Sequence, residues 1–263
     1  MKRLVFFAYS LIAYALFLGV FLYTVGFVGN FRFELLPGWV FVPRSLDLGG
    51  ERGSTGQALL VDALLLGAFA VQHSGMARRG FKQRWTRLVP PTIERATYVL
   101  FSSVALAAVL GFWRPLGFAV WTAGDPAVRT ALVLVSLIGW LTALAATFHI
   151  HHFELFGLRQ TWSALLGREL PPPRFVTPGL YRHVRHPLYL GFLVAFWATP
   201  VMTVGHLVFA LGFTGYILVA IQFEERDLVR EYGPAYLKYR EQVPMLAPLP
   251  GRPEATRQAK VEP

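Results

Sequence analysis

Long apolar segments alternate with short polar ones along most of this chain. A membrane-spanning helix needs about 20 predominantly apolar residues, and four segments approach or reach that length. They run from Leu4 to about Gly26, from about Gln57 to Val71, from about Ile93 to Trp113 and from about Ala127 to Phe148. Asp62 interrupts the second segment close to one end, so we expect its carboxylate to snorkel to the interface.

Two further apolar segments lie side by side near the C-terminus. Leu188 to about Val204 is one, and His206 to Phe223 is the other. Almost no chain separates them, which predicts a helical hairpin with Pro200 and Gly205 shaping its turn or a kink. The pattern therefore predicts an all-α, polytopic transmembrane helical bundle with about six spans, or five if the hairpin is re-entrant.

The polar residues divide the chain into three parts. Residues 1–148 hold the first four spans with their connecting loops, and residues 149–244 hold most of the polar clusters together with the hairpin over 188–223. That second part ends in an amphipathic segment, which we expect to lie on the cytoplasmic side and pack over the membrane domain as a lid. Residues 245–263 form a charged, Pro-rich tail that we expect to be disordered.

Composition supports a membrane protein and gives it an orientation. The chain is 54% hydrophobic and only 15% charged, whereas a soluble domain is about 25% charged. The net charge of +10 arises from Lys and Arg in alternate loops, which is typical of cytoplasmic loops and places both termini inside. No basic face is interleaved with stacking aromatics, so we expect no nucleic-acid partner. Without cysteine, disulfides, thiolate zinc sites and cysteine nucleophiles are excluded.

A histidine cluster follows the fourth span. His149, His151 and His152 stand within four residues, and Glu154 follows them. His149 and His152 lie one helical turn apart, but His151 would point elsewhere, and zinc sites usually draw ligands from at least two segments. We therefore expect no metal, and we interpret the cluster as interfacial histidines at a helix C-terminus, where the helix dipole favours them.

Two more polar clusters flank the predicted hairpin. His186 and Tyr189 begin it, with Pro187 suited to a first helical turn whose free N–H groups can receive an anion. Glu224 and Glu225 end it, where a helix C-terminus disfavours carboxylates. One carboxylate is therefore expected to face a cationic or hydroxyl-bearing ligand; the alternative is a solvated helix exit with Arg226 as the partner. The hairpin brings these clusters together, and such a pocket suits S-adenosylmethionine.

The motif Arg185-His186-Pro187-x-Tyr189-x-Gly191, with Glu224-Glu225-x-x-Leu228 and Tyr232-Gly233-x-x-Tyr236 after the hairpin, resembles the membrane methyltransferase superfamily. That superfamily includes isoprenylcysteine carboxyl methyltransferase and the phospholipid methyltransferases. The resemblance implies an S-adenosylmethionine-dependent enzyme. It assigns cofactor contacts to Gln160, Val176, Tyr181, His186, Leu188, Tyr189 and Glu224.

Residues outside the hairpin narrow the resemblance. Gln72-His73-Ser74, Glu94-Arg95-x-x-Tyr98 and the segment 152–160 are similar to bacterial methanethiol S-methyltransferases, which make dimethyl sulfide. This implies a small thiol substrate and a bacterial inner-membrane location. Ala220 stands where the isoprenylcysteine enzymes carry an Arg for the substrate carboxylate, which also favours a small uncharged acceptor.

A thiol acceptor must lose its proton before or during methyl transfer. His73, His149 and His152 are the candidate bases. Two other functions stay open from the sequence. One is a phospholipid or other lipid methyltransferase, including the isoprenylcysteine type. The other is a non-enzymatic membrane accessory protein of nitrogen-oxide metabolism, because the chain also resembles a membrane family linked to nitrite and nitric oxide.

Overall fold

The computed structural model describes residues 1–31, 34–36, 39–40, 42–50, 53–172 and 174–247. The helices are α1 (Lys2–Val28), α2 (Thr55–Ala77), α3 (Arg79–Trp85), α4 (Pro91–Phe112), α5 (Pro126–His149), α6 (His152–Leu155), α7 (Leu158–Leu165), α8 (Pro187–Trp197), α9 (Val204–Tyr232) and α10 (Pro234–Gln242). The short strands are β1 (Glu34–Leu36), β2 (Trp39–Val40), β3 (Ala119–Thr122) and β4 (Val201–Thr203). The predicted all-α, polytopic bundle is confirmed.

Five helices in the described part of the chain are long and apolar enough to cross a membrane. These are α1, α2, α4, α5 and α9, and they have 22 to 29 residues each. Local signals in the sequence fix several of their starts. Ser54 and Gln57 form a reciprocal capping box before α2, and the Asp125 carboxylate accepts from the N–H groups of Ala127 and Val128 at the start of α5.

The fifth apolar segment is not one continuous helix, so the prediction of a helical span from Leu188 to Val204 is wrong in its second half. Helix α8 has eleven residues, about 17 Å at ~1.5 Å per residue, against a hydrocarbon core of about 30 Å. The chain then continues extended, and β4 pairs antiparallel with β3. Pro200 has no N–H to donate, and its carbonyl accepts from Ala123 instead.

This extended stretch carries the chain to the end of the bundle where α5 begins. Helices α5 and α8 run antiparallel, and their backbones touch at two glycines. A Cβ at Gly139 would lie 2.6 Å from Ala195 N, and a Cβ at Gly191 would lie 2.5 Å from Ala143 N. The Ser136 hydroxyl also donates to Ala195 O at 2.9 Å. Small residues allow this close approach between membrane helices, and it sets the position of the start of α8.

Helices α2, α5 and α9 finish at the end of the bundle where α4 and α8 begin, and we call this the basic end. The first turns of α1 also lie there, because Ser10 of α1 hydrogen-bonds Thr161 of α7. Helix α10 covers the start of α8 at the same end, where the carbonyl of Met245 accepts from His186 N. The predicted disordered tail, residues 245–263, lies outside the described residues from 248 onward.

Asp62 departs from the expectation that it snorkels to the interface. Its side chain is fully buried. The reason is a backbone partner: Oδ1 accepts from the N–H of Arg114, two residues beyond the end of α4, at 2.9 Å. The carboxylate therefore ties α2 to the end of α4 inside the bundle, and it satisfies a backbone group that no helix turn can satisfy there.

We expect Gly191→Leu to destabilise the protein by about 1–3 kcal/mol or more, because the added side chain must push α8 away from α5. Thermal unfolding of the purified protein in detergent measures this as a lower melting temperature. Gly67→Leu on α2 is the matched control, since a Cβ at Gly67 meets no atom within 4 Å. Equal melting temperatures for the two variants would contradict the close α5–α8 contact.

Candidate functional site

A cavity of about 520 Å³ opens at the basic end and extends into the bundle. Residues of α1, α2, α4, α5, α8 and α9 line it. Along α9 the lining residues run from Phe209 to Glu231, which is about 33 Å at ~1.5 Å per residue. Its inner part is lined by Phe17, Val20, Phe21, Phe69, Trp140, Phe192, Phe196, Phe209 and Phe213. The polar groups lie nearer the mouth, so the cavity has an apolar depth and a charged entrance.

The hairpin brings the predicted clusters together at this cavity. The hydroxyl of Tyr189, in the first turn of α8, donates to Glu224 Oε2 of α9 at 2.8 Å. His186 Nδ1 lies 4.0 Å from the same carboxylate oxygen. Glu224 is nevertheless about 44% exposed and lines the cavity. A carboxylate oriented by a phenol, on a cavity wall, can bind a cation or a hydroxyl-bearing group.

Five of the seven residues predicted to contact the cofactor line the cavity. These are Tyr181, His186, Leu188, Tyr189 and Glu224. Gln160 and Val176 do not line it. The Gln160 amide donates to Glu154 O at 3.0 Å, which turns it toward the α6–α7 turn, and Val176 is more than half exposed.

Glu225 is a carboxylate whose role the sequence did not predict. It is buried, and its Oε1 accepts from Arg185 Nε at 2.7 Å and lies 3.1 Å from His186 Nε2. Arg226 is the partner in the alternative interpretation of a solvated helix exit. Its guanidinium lies instead over the Phe223 ring, 5.9 Å from the centroid. Consecutive helical residues point about 100° apart, and this rotation sends Glu224 to the cavity and Glu225 to Arg185.

Helix α10 and the chain after it hold the entrance in place. The Tyr239 hydroxyl donates to Tyr181 O at 2.6 Å, and Tyr236 is almost fully buried. Phe175 packs against the rings of both tyrosines. Burial above all, with Glu224 and Tyr239 adding to it, raises the pKa of Tyr181. Tyr181 therefore stays protonated at neutral pH and can donate a hydrogen bond into the cavity.

Only one of the three candidate bases reaches the cavity. His73 lines it, stacked on Phe69, with Nδ1 3.0 Å from Ser102 Oγ and Nε2 2.8 Å from Tyr98 OH. A neutral imidazole has one acceptor nitrogen, and hydroxyl hydrogens rotate to suit it. Both ring nitrogens of His73 therefore have hydroxyl partners, and its ring lies on the cavity wall.

His149 and His152 do not line the cavity. His149 Nδ1 donates to Ala145 O at 2.8 Å, and its ring lies where a Cβ on Gly179 would be. Both ring nitrogens of His152 have partners, Tyr14 OH at 2.8 Å and Thr147 Oγ1 at 2.7 Å, and burial lowers its pKa. His152 thereby joins α6 to α1 and α5. No group of three metal-ligating side chains converges among the described residues.

The N-terminal half supplies cavity residues that the sequence did not single out as a site. Arg78 pairs with Asp227 at 3.3 Å, and Arg79 pairs with Glu231 at 2.8 Å, which ties α2 and α3 to the end of α9. Lys82 and Arg95 also line the cavity near its mouth. The positive-inside pattern already accounts for the basic residues between α2 and α4. The sequence therefore could not show which of them line a cavity.

Comparison with known proteins agrees with this geometry. The model of the isoprenylcysteine carboxyl methyltransferase (ICMT) family matches residues 128–230. A methanethiol S-methyltransferase of Mycobacterium tuberculosis is 52% identical over 96% of this chain and 99% of the relative. Methanethiol S-methyltransferase 2 of Bradyrhizobium diazoefficiens is 50% identical over 94% and 91% of the two chains. The Crocosphaera subtropica enzyme is 48% identical over 93% and 92%.

No solved structure matches the chain. The sequence relationships, however, cover almost its full length and confirm the resemblance that the hairpin and histidine motifs indicated. They argue against a non-enzymatic accessory protein, because these relatives are named as enzymes. The chain belongs to the methanethiol S-methyltransferase family and is a membrane methyltransferase.

Proposed function

We propose that this protein transfers the methyl group of S-adenosylmethionine to methanethiol and releases dimethyl sulfide. The observation that carries the proposal is the Tyr189–Glu224 pair on the wall of a largely apolar cavity. The names of the relatives support the choice of methanethiol. We further infer that the basic end faces the cytoplasm of a bacterial inner membrane, because Arg78, Arg79, Lys82, Arg84 and Arg87 stand in one loop there.

The residues at the mouth fit S-adenosylmethionine by their chemistry. Glu224 supplies a fixed negative charge for the cationic part of the donor, and Tyr181 and Tyr189 supply phenol groups and ring faces. The N–H groups of Leu188 and Tyr189 lie in the first turn of α8, where helical N–H groups have no acceptor within the helix. When bound, the donor supplies an electrophilic methyl group on a sulfonium. The protein supplies alignment and excludes water.

The depth of the cavity fits a small apolar acceptor. Ala220 lines the cavity one turn before Glu224, so no positive charge stands where a substrate carboxylate would need one. The thiol proton has to leave as the new carbon–sulfur bond forms, and His73 is the one of the three candidate bases that lines the cavity. We propose that His73 accepts this proton, with Tyr98 and Ser102 orienting its ring.

The proposed activity predicts dimethyl sulfide from membranes that contain the protein. Membrane vesicles from a host lacking the activity are supplied with methanethiol and externally added S-adenosylmethionine, which is too polar to cross the bilayer unaided. Headspace dimethyl sulfide is expected from inverted vesicles and only at background from right-side-out ones. Methylated lipid instead of dimethyl sulfide would contradict the acceptor, and activity only in right-side-out vesicles would contradict the orientation.

Glu224→Gln is expected to weaken S-adenosylmethionine binding about tenfold or more, because hydrogen bonds to charged groups contribute about 1.5–3 kcal/mol. Tyr189→Phe removes only the phenol that orients the carboxylate and is expected to have a smaller effect. Calorimetric titration of the purified protein measures both affinities. Glu241→Gln, an exposed carboxylate on α10, is the control. Unchanged affinity in a folded Glu224→Gln variant would rule out its role.

His73→Gln is expected to lower the rate of methyl transfer about a hundredfold at neutral pH while leaving donor affinity within about twofold. The loss is expected to shrink as pH rises, because the thiol then ionises without help. Rates measured from pH 6 to 10 test this, with His183→Gln, an exposed histidine outside the cavity, as the matched control. A loss of the same size at every pH would mean that His73 only shapes the cavity.

A further inference from the structure

We propose that Lys82 and Arg95 form an anion-binding subsite at the cavity mouth and bind the carboxylate of the methyl donor. The inference rests on the proposed use of S-adenosylmethionine and adds two residues from the N-terminal half. Both lie outside residues 128–230, which the ICMT family model matches. The hairpin region would thus form one wall of the donor site, and α3 and α4 the opposite wall.

Arg95 is held in a fixed position with most of its donors free. Its Nε donates to Leu155 O at 2.7 Å, and its guanidinium carbon lies 5.2 Å from the centre of the Tyr98 ring. These two contacts orient the side chain from α4 toward the cavity that it lines. Its two terminal nitrogens make no hydrogen bond or ion pair within the described residues. They match the geometry by which a guanidinium binds a carboxylate through two donors.

Lys82 is the second cation on this wall. Its ammonium likewise has no hydrogen bond or ion pair in the described part of the chain. Burial first, and then the positive charge of Arg95, lowers the pKa of Lys82. The two cations therefore repel each other electrostatically. The other charges that act on Lys82 are Glu94 and Glu231, which raise this pKa, and Arg78, which lowers it.

Of the acids near Lys82, Glu94 does not line the cavity and makes no ion pair with Lys82 or Arg95, and the two acids of α9 that do line it are bound by arginines. Asp227 is bound by Arg78 at 3.3 Å and Glu231 by Arg79 at 2.8 Å. Lys82 and Arg95 therefore line the cavity as two like charges, and neither is ion-paired with a carboxylate of the described residues. An anion between them would relieve this repulsion and gain two charge-assisted hydrogen bonds.

The position of Lys82 favours the donor's carboxylate over the acceptor's thiolate. S-adenosylmethionine carries both a carboxylate and cationic groups, and the cavity lining includes Lys82 of α3, Arg95 of α4 and Glu224 of α9. Lys82 is on α3, beyond the end of α2 at the basic end, whereas His73 lies further into the bundle. A small apolar thiol belongs in the apolar depth near His73. The donor's charged amino-acid portion belongs at the mouth.

Decarboxylated S-adenosylmethionine isolates the carboxylate, because it keeps the adenosine, the sulfonium and the amine. Calorimetric titration of the full-length protein with both compounds gives the ratio of their affinities. In the wild type we expect the carboxylate to strengthen binding about tenfold or more. Lys82→Ala is expected to weaken binding of the complete donor about tenfold while changing that of the decarboxylated compound by less than about twofold.

Matched variants separate this role from a structural one. Arg84→Ala, an exposed cation on the same helix, should bind both compounds as the wild type does, and Lys82→Arg should restore most of the preference. Arg95→Gln should also lower the preference for the complete donor. The melting temperature of Arg95→Gln shows whether this variant folds. If it does not fold, the Lys82→Ala variant alone tests the subsite.

Three results would overturn the subsite. Equal weakening of both compounds by Lys82→Ala would show a structural effect, and unchanged affinity for both would show that no carboxylate binds there. Unchanged donor binding with a raised KM for methanethiol would assign the cations to the thiolate. A wild-type protein that binds neither compound would overturn the proposed donor together with the subsite. If only the prediction for Lys82→Ala fails, the proposal that S-adenosylmethionine is the methyl donor still stands.

Discussion

The guanidinium of Arg185 joins three parts of the chain that are far apart in sequence. It donates to Glu225 of α9, to the carbonyl of Arg240 on α10 and to that of Val243 just beyond α10, and Arg185 itself lies just before α8. Arg185 and Glu225 are each only about 10% exposed, so removing either partner would leave a buried charge unpaired. The start of α8, the end of α9 and the lid around α10 therefore hold one another in position. Tyr189 and Glu224 lie on these parts, and Tyr181 lies in the segment just before α8, where Tyr239 of α10 binds its carbonyl.

This arrangement explains why two adjacent carboxylates occur at the end of a membrane helix. Glu225 is ion-paired with Arg185, lies 3.1 Å from His186 Nε2 and works as a structural anchor. Glu224, one position earlier, is then free to remain charged on the cavity wall, with Tyr189 fixing its direction. Methyl transfer needs alignment more than it needs activation by the protein. A rigid anchor beside an oriented carboxylate meets that need.

The sequence allowed the long helices, the hairpin and the convergence of His186, Tyr189 and Glu224 to be predicted. Length and apolar composition predict the long helices. The short connection predicts the hairpin and, through it, the convergence of the three side chains. The break after Trp197 was not predicted, because apolar composition alone does not distinguish a helix from an extended segment whose strand β4 pairs with β3. The histidine candidates could not be ranked for a similar reason. Both His73 and His152 contact neighbouring hydroxyls, and only tertiary packing determines that His73 lines the cavity while His152 does not.

The charges around the cavity follow a division that net charge does not reveal. Positive residues in the loop after α2 are explained by membrane topology alone, yet in the fold Arg78 and Arg79 bind acids of α9 while Lys82 lines the mouth and makes no ion pair with any described residue. Membrane topology explains why many cations lie at this end of the bundle. Only the packing of the helices determines which of these cations form ion pairs with acids. Because Arg78 and Arg79 bind Asp227 and Glu231 of α9, the mouth keeps Lys82 and Arg95 without an ion pair among the described residues, together with the carboxylate of Glu224. A ligand with separated charges of both signs fits such a mouth better than one with a single charge, and this asymmetry is the electrostatic reason for placing an amino-acid-bearing donor there.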